Sequence, residues 1–228
     1  MDKHVVVQKP AGEARQLMVL FHGVGATPQD LLPLGERLAQ AFPEAYIVSV
    51  QAPYACDLGQ GYQWFSVRDI TEENRPTRVA EVLPQFVALV QDLQRRTGVA
   101  PEATALFGFS QGAIMALEVS QLPDHLAGRI IALSGRFAQL PQAPHALTTL
   151  HMLHGKDDAM IHYGYTVTAA QHLVTLGADI TADVLPFVGH TVHEDILDLL
   201  IERLQGHVPK RLWNAAQAAS DAEPSAGA

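Results

Sequence analysis

Short apolar runs, separated by turns and longer amphipathic stretches, make up most of the chain. The apolar runs are continuous rather than alternating, which is typical of strands that are buried on both faces of a sheet. We predict strands at Gln16–Phe21, Ala45–Val50, Thr104–Phe109, Arg129–Leu133, Thr149–Leu153 and Ile180–Pro186, with Val5–Gln8 as an edge strand. Because amphipathic stretches separate these runs, the pattern predicts an α/β fold with a mostly parallel central sheet flanked by helices.

Helix signals lie between the predicted strands. We predict helices at residues 27–42, 76–97, 111–121, 164–176 and 191–204. Thr27 followed by Pro28 is a typical helix start, and Gly98 and Gly177 are typical helix ends. Pro84 lies inside the second helix, and we expect it to kink or split that helix.

The chain length suits one domain. We assign residues 1–214 to a single α/β domain. Residues 215–228 are rich in alanine and lack core-forming side chains, so we predict a flexible tail there. The segment between Leu133 and Thr149 is too short for a large cap domain. The long segment from Gln51 to Arg75 has no clear periodicity, and such a loop is often functional.

Composition narrows the function classes. The chain of 228 residues carries 15 Lys and Arg against 24 Asp and Glu, a net charge of −9 that argues against nucleic-acid binding. Its single cysteine, Cys56, excludes a disulfide framework and a cysteine-based zinc site. No apolar run approaches the roughly 20 residues of a membrane-spanning helix, and the polar N-terminus is unlike a signal peptide. We therefore expect a cytoplasmic protein without stable membrane insertion.

The strongest chemical motif is Gly108-Phe109-Ser110-Gln111-Gly112, which follows a predicted strand and precedes a predicted helix. This is the context of the G-x-S-x-G nucleophile elbow. A serine at so tight a turn adopts a strained backbone conformation, and only very small residues fit two positions away on either side. The turn would project the Ser110 hydroxyl from the sheet at a helix N-terminus, which favours developing negative charge.

A nucleophilic serine needs a base, and the base needs an orienting carboxylate, which in this type of fold follow the serine in the order acid, base. Asp158 follows the predicted strand at residues 149–153, and His190 follows the last predicted strand. We therefore predict a triad of Ser110, Asp158 and His190. Asp157 is an alternative acid, and His193 is an alternative base.

Two other kinds of site, a metal site and a nucleotide-binding site, agree less well with the sequence. His190, His193 and Glu194 form an H-x-x-H-E string, but it lacks the i, i+4 histidine pair of zinc proteases, so we expect no metal. The glycine-rich run from His22 to Gly25 matches neither common phosphate-binding pattern, so we expect no nucleotide cofactor. We instead predict an oxyanion hole formed by the backbone N–H groups of Val24 and Gln111.

With these motifs the chain resembles the phospholipase/carboxylesterase family of small α/β-hydrolases, which includes the acyl-protein thioesterases. It is most similar to the YpfH-type bacterial esterases, which share short sequence motifs such as Trp64-Phe65-Ser66-Val67. The resemblance implies an α/β-hydrolase fold, the same triad and oxyanion donors, and no cofactor. The chain departs from many relatives at Ser66, where they have Asp, and at Ala159, where they have Pro. Relatives form dimers, so the resemblance implies that a homodimer can form.

The expected function is a serine carboxylesterase that hydrolyses esters of short to medium acyl chains, with a small-molecule or lipid acyl ester as its partner. An acyl-protein thioesterase or a lysophospholipase would use the same triad, and a catalytically silent binding module would use the same fold. Candidate substrate-binding residues are Trp64, Phe65 and Met160. Met115 and Phe187 could join them, although apolar residues near strands are usually core.

Overall fold

A seven-stranded sheet lies at the centre of the protein, in a computed structural model that describes residues 3–143 and 146–222. Its strands are β1 (Val5–Gln8), β2 (Gln16–Phe21), β3 (Ala45–Val50), β6 (Thr104–Phe109), β7 (Arg129–Leu133), β8 (Thr149–Gly155) and β9 (Asp179–Leu185). Their order is β1-β3-β2-β6-β7-β8-β9. β1 is antiparallel to β3 and all other neighbours are parallel, which confirms the predicted mostly parallel sheet.

Helices cover both faces of this sheet. They are α1 (Leu32–Ala41), α2 (Arg75–Thr97), α3 (Gln111–Val119), α4 (Gly164–Thr175), α5 (Glu194–Gly206) and α6 (Lys210–Ala222). Apolar side chains of α1 and α5 pack on one face, and those of α2, α3 and α4 pack on the other. Because the strands are covered on both faces, their side chains are apolar without alternation, as the sequence pattern indicated.

Three predicted helix features differ from the structure. The first helix begins as a 3₁₀ turn, Pro28–Leu31, and becomes α-helical at Leu32. Pro84 does not split α2, which runs unbroken from Arg75 to Thr97. The helix expected from Thr191 begins at Glu194, because the side chain of His193 accepts a hydrogen bond from the Asp195 N–H and caps it.

The first part of the predicted flexible tail is a helix. Residues 215–222 belong to α6, so the first part of the supposed tail is helical, and the remainder, residues 223–228, lies outside the described residues. Alanine has the highest intrinsic helix propensity, which accounts for a helix whose residues 212–220 are all exposed. Asp179 accepts a hydrogen bond from the backbone N–H of Lys210, and Arg211 donates to the Gly128 carbonyl, so the start of α6 is tied to the domain.

Two loops at the carboxyl edge of the sheet position the site. The 51–75 segment contains a two-stranded ribbon, β4 (Tyr54–Ala55) and β5 (Tyr62–Gln63), that sequence analysis missed. Between Leu133 and Thr149, the residues that the structure describes contain neither helix nor strand, so this segment contributes no cap there.

Nowhere in the described part of the chain is there a helix long and apolar enough to cross a membrane.

Candidate active site

Ser110 occupies a strained turn between β6 and α3. Its backbone angles are φ 53° and ψ −114°, a conformation that non-glycine residues rarely adopt. The two glycines of the motif are needed for this turn. A Cβ at Gly108 would lie 2.4 Å from the Ala113 Cα, and a Cβ at Gly112 would lie 2.1 Å from the Phe21 carbonyl oxygen. The neighbouring elements pack so closely that only glycine fits at either position.

The structure brings the three predicted triad residues into one hydrogen-bonded chain. His190 Nε2 lies 2.9 Å from Ser110 Oγ, and His190 Nδ1 lies 2.7 Å from Asp158 Oδ2. The carboxylate of Asp158 can only accept, so Nδ1 carries the proton and Nε2 is left to accept from the serine hydroxyl. The three residues follow β6, β8 and β9, which are parallel, so their carboxyl ends meet at one edge of the sheet.

Asp158 is held as a charged acceptor. Its Oδ1 accepts hydrogen bonds from the backbone N–H groups of Met160 and Ile161, each at 2.8 Å. Burial works against ionisation, but the hydrogen bonds from His190, Ile161 and Met160 outweigh it and hold the pKa of the Asp158 carboxyl below its usual range. The carboxyl is therefore ionised at neutral pH and can orient the imidazole of His190.

A second histidine, to which the sequence analysis assigned no role, touches the same carboxylate. His154 is fully buried, with Nε2 3.1 Å from Asp158 Oδ2 and 2.8 Å from the Ile161 carbonyl oxygen. Because a carbonyl only accepts, Nε2 carries the proton, and Nδ1 accepts from the Thr166 hydroxyl at 2.8 Å. Burial lowers the pKa of His154, so the ring is neutral. The only sign of this contact in the sequence was a histidine near the end of a predicted buried strand.

The alternative acid and base lie elsewhere. Asp157 is exposed, and its backbone N–H donates to the Val188 carbonyl. His193 caps α5 and is exposed. The geometry therefore favours Asp158 and His190 over their neighbours. Within residues 3–143 and 146–222, no group of three His, Cys, Asp or Glu side chains is arranged to hold a metal ion.

The loop after β2 lies against the serine. A Cβ at Gly23 would be 3.1 Å from Ser110 Cβ, so a larger residue would require the loop or the serine to shift by a few tenths of an ångström. For the backbone N–H of Val24 and that of Gln111, no acceptor is found among the residues that the structure describes. Val24 follows Gly23 and Gln111 follows Ser110 in the chain, so both N–H groups stay candidates for the oxyanion hole.

Two of the three predicted substrate-binding residues are core residues instead. Trp64 is 1% exposed and packs against the rings of Phe21 and Phe86, and Phe65 is 3% exposed. The prediction was wrong because aromatic residues in a segment without periodicity give no sign of their burial. Met160 is 76% exposed beside Asp158 and stays a candidate.

The two additional apolar candidates differ in their burial. Met115 is fully buried in the core, so it cannot reach a substrate. Phe187 is 92% exposed, three positions before His190, so it is not the core residue that its position after a strand suggested. Its φ of 62° is a strained conformation for a bulky residue.

A cavity adjoins His190. It has a volume of about 270 Å³ and lies between the loop after β2, the start of α1 and the loop after β9. Its walls are mostly apolar and are formed by His22, Gly23, Ala26, Asp30, Leu31, Pro33, Leu34, Phe109, His190, Thr191 and Val192. The ring of Phe109 lies 4.9 Å from that of His190, so these two wall residues pack against each other.

The comparison with known proteins decides the family. The profile of the phospholipase/carboxylesterase family matches residues 2–208. The chain belongs to this family. Membership confirms the predicted α/β-hydrolase fold and makes the protein a carboxylic ester hydrolase.

Individual relatives agree with this assignment. Esterase YpfH of Escherichia coli is 40% identical over 213 residues, which cover 93% of this chain and 92% of that protein. The predicted likeness to YpfH-type esterases is thereby confirmed. Acyl-protein thioesterase 1 of Gibberella zeae is 24% identical, over 89% of this chain and 95% of its own length. The crystal structure of esterase PE8 has a TM-score of 0.79 and 31% identity, over 88% of this chain and 97% of that one.

Proposed function

We propose that the protein is a serine carboxylesterase in which Ser110, His190 and Asp158 form the catalytic triad. The observation that carries this proposal is the unbroken hydrogen-bonded chain from Ser110 Oγ through His190 to Asp158, at a strained turn that presents the serine. A serine hydroxyl is a weak nucleophile unless an adjacent base accepts its proton. The family assignment supports esters as the substrate class.

The first half of the reaction acylates the enzyme. His190 Nε2 takes the proton from Ser110 Oγ as this oxygen bonds to the ester carbonyl carbon. The carbonyl oxygen becomes an oxyanion and accepts hydrogen bonds from the N–H groups of Val24 and Gln111. When the tetrahedral intermediate collapses, the carbon–oxygen bond to the alcohol breaks, and His190 gives its proton to the departing oxygen. Asp158 stabilises the imidazolium throughout.

The second half releases the acid. Water loses a proton to His190 as its oxygen bonds to the acyl carbon. The resulting tetrahedral intermediate collapses with cleavage of the bond to Ser110 Oγ, which recovers its proton from His190. The carboxylic acid leaves, and the enzyme returns to its starting state without a cofactor.

The cavity beside His190 is the place we assign to the alcohol half of the ester. His190 Nε2 must protonate the departing oxygen, so the group attached to that oxygen lies beside this histidine. The walls of the cavity are mostly apolar, and the exposed carboxylate of Asp30 contributes to them, so they suit an apolar group better than an anionic one. The volume of about 270 Å³ suits a group of several carbon atoms.

The finer substrate is an ester of a short to medium acyl chain. The absence of a cap from the described part of the 133–149 segment supports an open site. The relation to acyl-protein thioesterase 1 of Gibberella zeae supports a second candidate, a thioester of an acylated protein, which the same triad can hydrolyse. A third candidate substrate is a lysophospholipid, whose ester the same triad can hydrolyse. We also propose a cytoplasmic setting, with which a chain that has a single cysteine and no disulfide of its own is compatible.

Initial hydrolysis rates on p-nitrophenyl esters from acetate to palmitate test this proposal, with Ser110→Ala as the control. We expect a serine-dependent rate that is highest at short or medium chains. A maximum at palmitate would favour lipid or S-acylated protein substrates. If no ester gave a rate that depends on Ser110, the esterase mechanism would be wrong and a binding module would become the better account.

A further inference from the structure

Trp64 joins the two segments that supply the oxyanion donors. It is 1% exposed, and its indole Nε1–H donates to the His22 carbonyl oxygen at 2.9 Å. Its backbone N–H donates to Gln111 Oε1 at 2.8 Å. One residue therefore binds both the loop after β2 and the first residue of α3.

The side chain of Gln111 completes the connection. Its Nε2 donates to the Phe65 carbonyl at 2.7 Å, so the amide of one side chain holds two consecutive residues of the 51–75 segment. Gln111 is 3% exposed, and both polar ends of its amide are satisfied. Buried hydrogen bonds of this kind fix a local geometry, because breaking one leaves a buried polar group without a partner.

The ring of His22 fixes the next peptide group. The backbone N–H of Ala52 donates to His22 Nε2 at 3.1 Å, so this nitrogen carries no proton, and Nδ1–H donates to the Gly23 carbonyl oxygen at 2.7 Å. Burial lowers the pKa of His22 and keeps the ring neutral. In a trans peptide, the carbonyl and the following N–H point in opposite directions. Holding the Gly23 oxygen therefore sets the direction of the Val24 N–H.

We propose that Trp64 is a positioning residue. It holds the Val24 N–H and the Gln111 N–H in the relative orientation that lets both reach the same oxyanion. The inference rests on the proposed function and adds a role for a residue that touches no substrate. Gly23 and Gly25 flank Val24, and glycine allows a peptide to rotate at little steric cost, so the geometry of the loop depends on its hydrogen bonds. Backbone hydrogen bonds from Gly25 to Tyr62 and from Ala26 to Gly23 share this task with Trp64. Donors that are already oriented stabilise the transition state without reorganisation.

Trp64→Phe tests this role, since it keeps an aromatic ring in the core and removes the indole N–H; the smaller ring also loses packing volume, which a control must account for. We expect kcat on p-nitrophenyl acetate to fall by about 10-fold to 100-fold, less than the full loss of one oxyanion donor, with KM changed less than about twofold. The matched control is Phe86→Leu, which perturbs the same aromatic cluster and has no hydrogen bond to the site. It should lower Tm at least as much as Trp64→Phe and leave kcat within about threefold.

A double mutant separates the connection from independent effects. Gln111→Met removes both side-chain hydrogen bonds and keeps the backbone N–H that donates to the oxyanion. If the connection acts as a unit, adding Gln111→Met to Trp64→Phe should lower kcat much less than Gln111→Met does alone. The proposal would be overturned if the two substitutions lowered kcat additively. It would also be overturned if the loss of kcat followed the loss of Tm in every variant, including Phe86→Leu.

Hydrogen exchange provides a readout that does not depend on turnover. Trp64→Phe should speed amide exchange in residues 22–26, and Phe86→Leu should leave it within about twofold. Unchanged exchange in this segment would overturn the positioning role even if the enzyme were active. Conversely, faster exchange in a protein without Ser110-dependent hydrolysis would support the structural connection and refute the proposed function, so the two failures are distinguishable.

Discussion

At the scale of single residues, two adjacent carboxylates have different surroundings. Asp158 is buried and accepts hydrogen bonds from His190 and from two backbone N–H groups, whereas the carboxyl of Asp157 is exposed. Only the first can hold the tautomer of the base. Burial and hydrogen bonding thus favour Asp158 over Asp157 as the proposed acid.

The pair gives a direct mutational test. Asp158→Asn should lower kcat by about 10⁴-fold, because an amide donor facing Nδ1 favours the wrong tautomer of His190. Asp157→Asn changes the same charge one residue away and should alter kcat by less than about threefold. Rates on p-nitrophenyl butyrate measure both. The reverse pattern would show that Asp157 is the acid.

The glycines of the elbow give a prediction on stability. Gly112→Ala places a Cβ 2.1 Å from the Phe21 carbonyl oxygen, and backbone at this point cannot move without disturbing β2. We expect the free energy of unfolding to fall by at least about 2 kcal/mol. Gly12→Ala is the control, since nothing lies within 4 Å of its added Cβ. Urea denaturation compares the two, and equal stabilities would contradict the steric argument.

At the scale of elements, α3 also carries a titratable contact to the loop after β7. Glu118 accepts a hydrogen bond from the Ala138 N–H at 2.6 Å, and burial raises the pKa of its carboxyl to about 7. The usual value is 4.5, so the folded state binds this proton more tightly than the unfolded state. The resulting stability is fully present below about pH 4.5 and is lost as the pH rises through about 7.

Glu118→Gln removes this titration. Between pH 5 and pH 8, the wild type should lose up to about 3 kcal/mol of unfolding free energy relative to the variant, with the variant gaining the advantage as the pH rises. Denaturant unfolding across that range measures the difference in slope, which is independent of any constant cost of the substitution. Parallel pH profiles would show that Glu118 titrates normally in the folded state.

The cavity between the loop after β2 and the loop after β9 gives a prediction on specificity. Val192→Trp should fill part of it, so kcat/KM for hexyl butyrate should fall at least about tenfold relative to methyl butyrate. Val174→Trp, at an exposed position on α4 outside the cavity walls, should leave that ratio within about twofold. If the ratio changed with the acyl chain instead of the alcohol, the cavity would hold the acyl half.

The elements show what a single sequence reveals and what it does not. β2, β3, β6 and β7 have the predicted bounds, because buried parallel strands are continuous apolar runs between turns. The two-residue strands β4 and β5 were missed, since so short a ladder leaves no periodicity in the chain. The helical part of the predicted tail was missed because alanine-rich composition lowers core content and raises helix propensity at the same time.

At the scale of the whole molecule, the site depends on parallel strands whose carboxyl ends share one edge. This topology is why Ser110, Asp158 and His190 could be predicted from their order and their places after strands. The contacts of Trp64 and His154 could not be predicted, because both depend on which side chains meet across the fold. Sequence patterns report burial along one element, while these contacts join elements that are distant in the chain.

The central claim is that Ser110 is a nucleophile activated by His190 and Asp158. The most direct measurement is the reaction of the folded protein with a fluorophosphonate probe, followed by peptide mass mapping of the adduct. The account predicts one adduct, on Ser110, that forms much more slowly in Asp158→Asn and at the wild-type rate in Asp157→Asn. An adduct on another residue, or no adduct on a protein whose circular dichroism shows it to be folded, would contradict it.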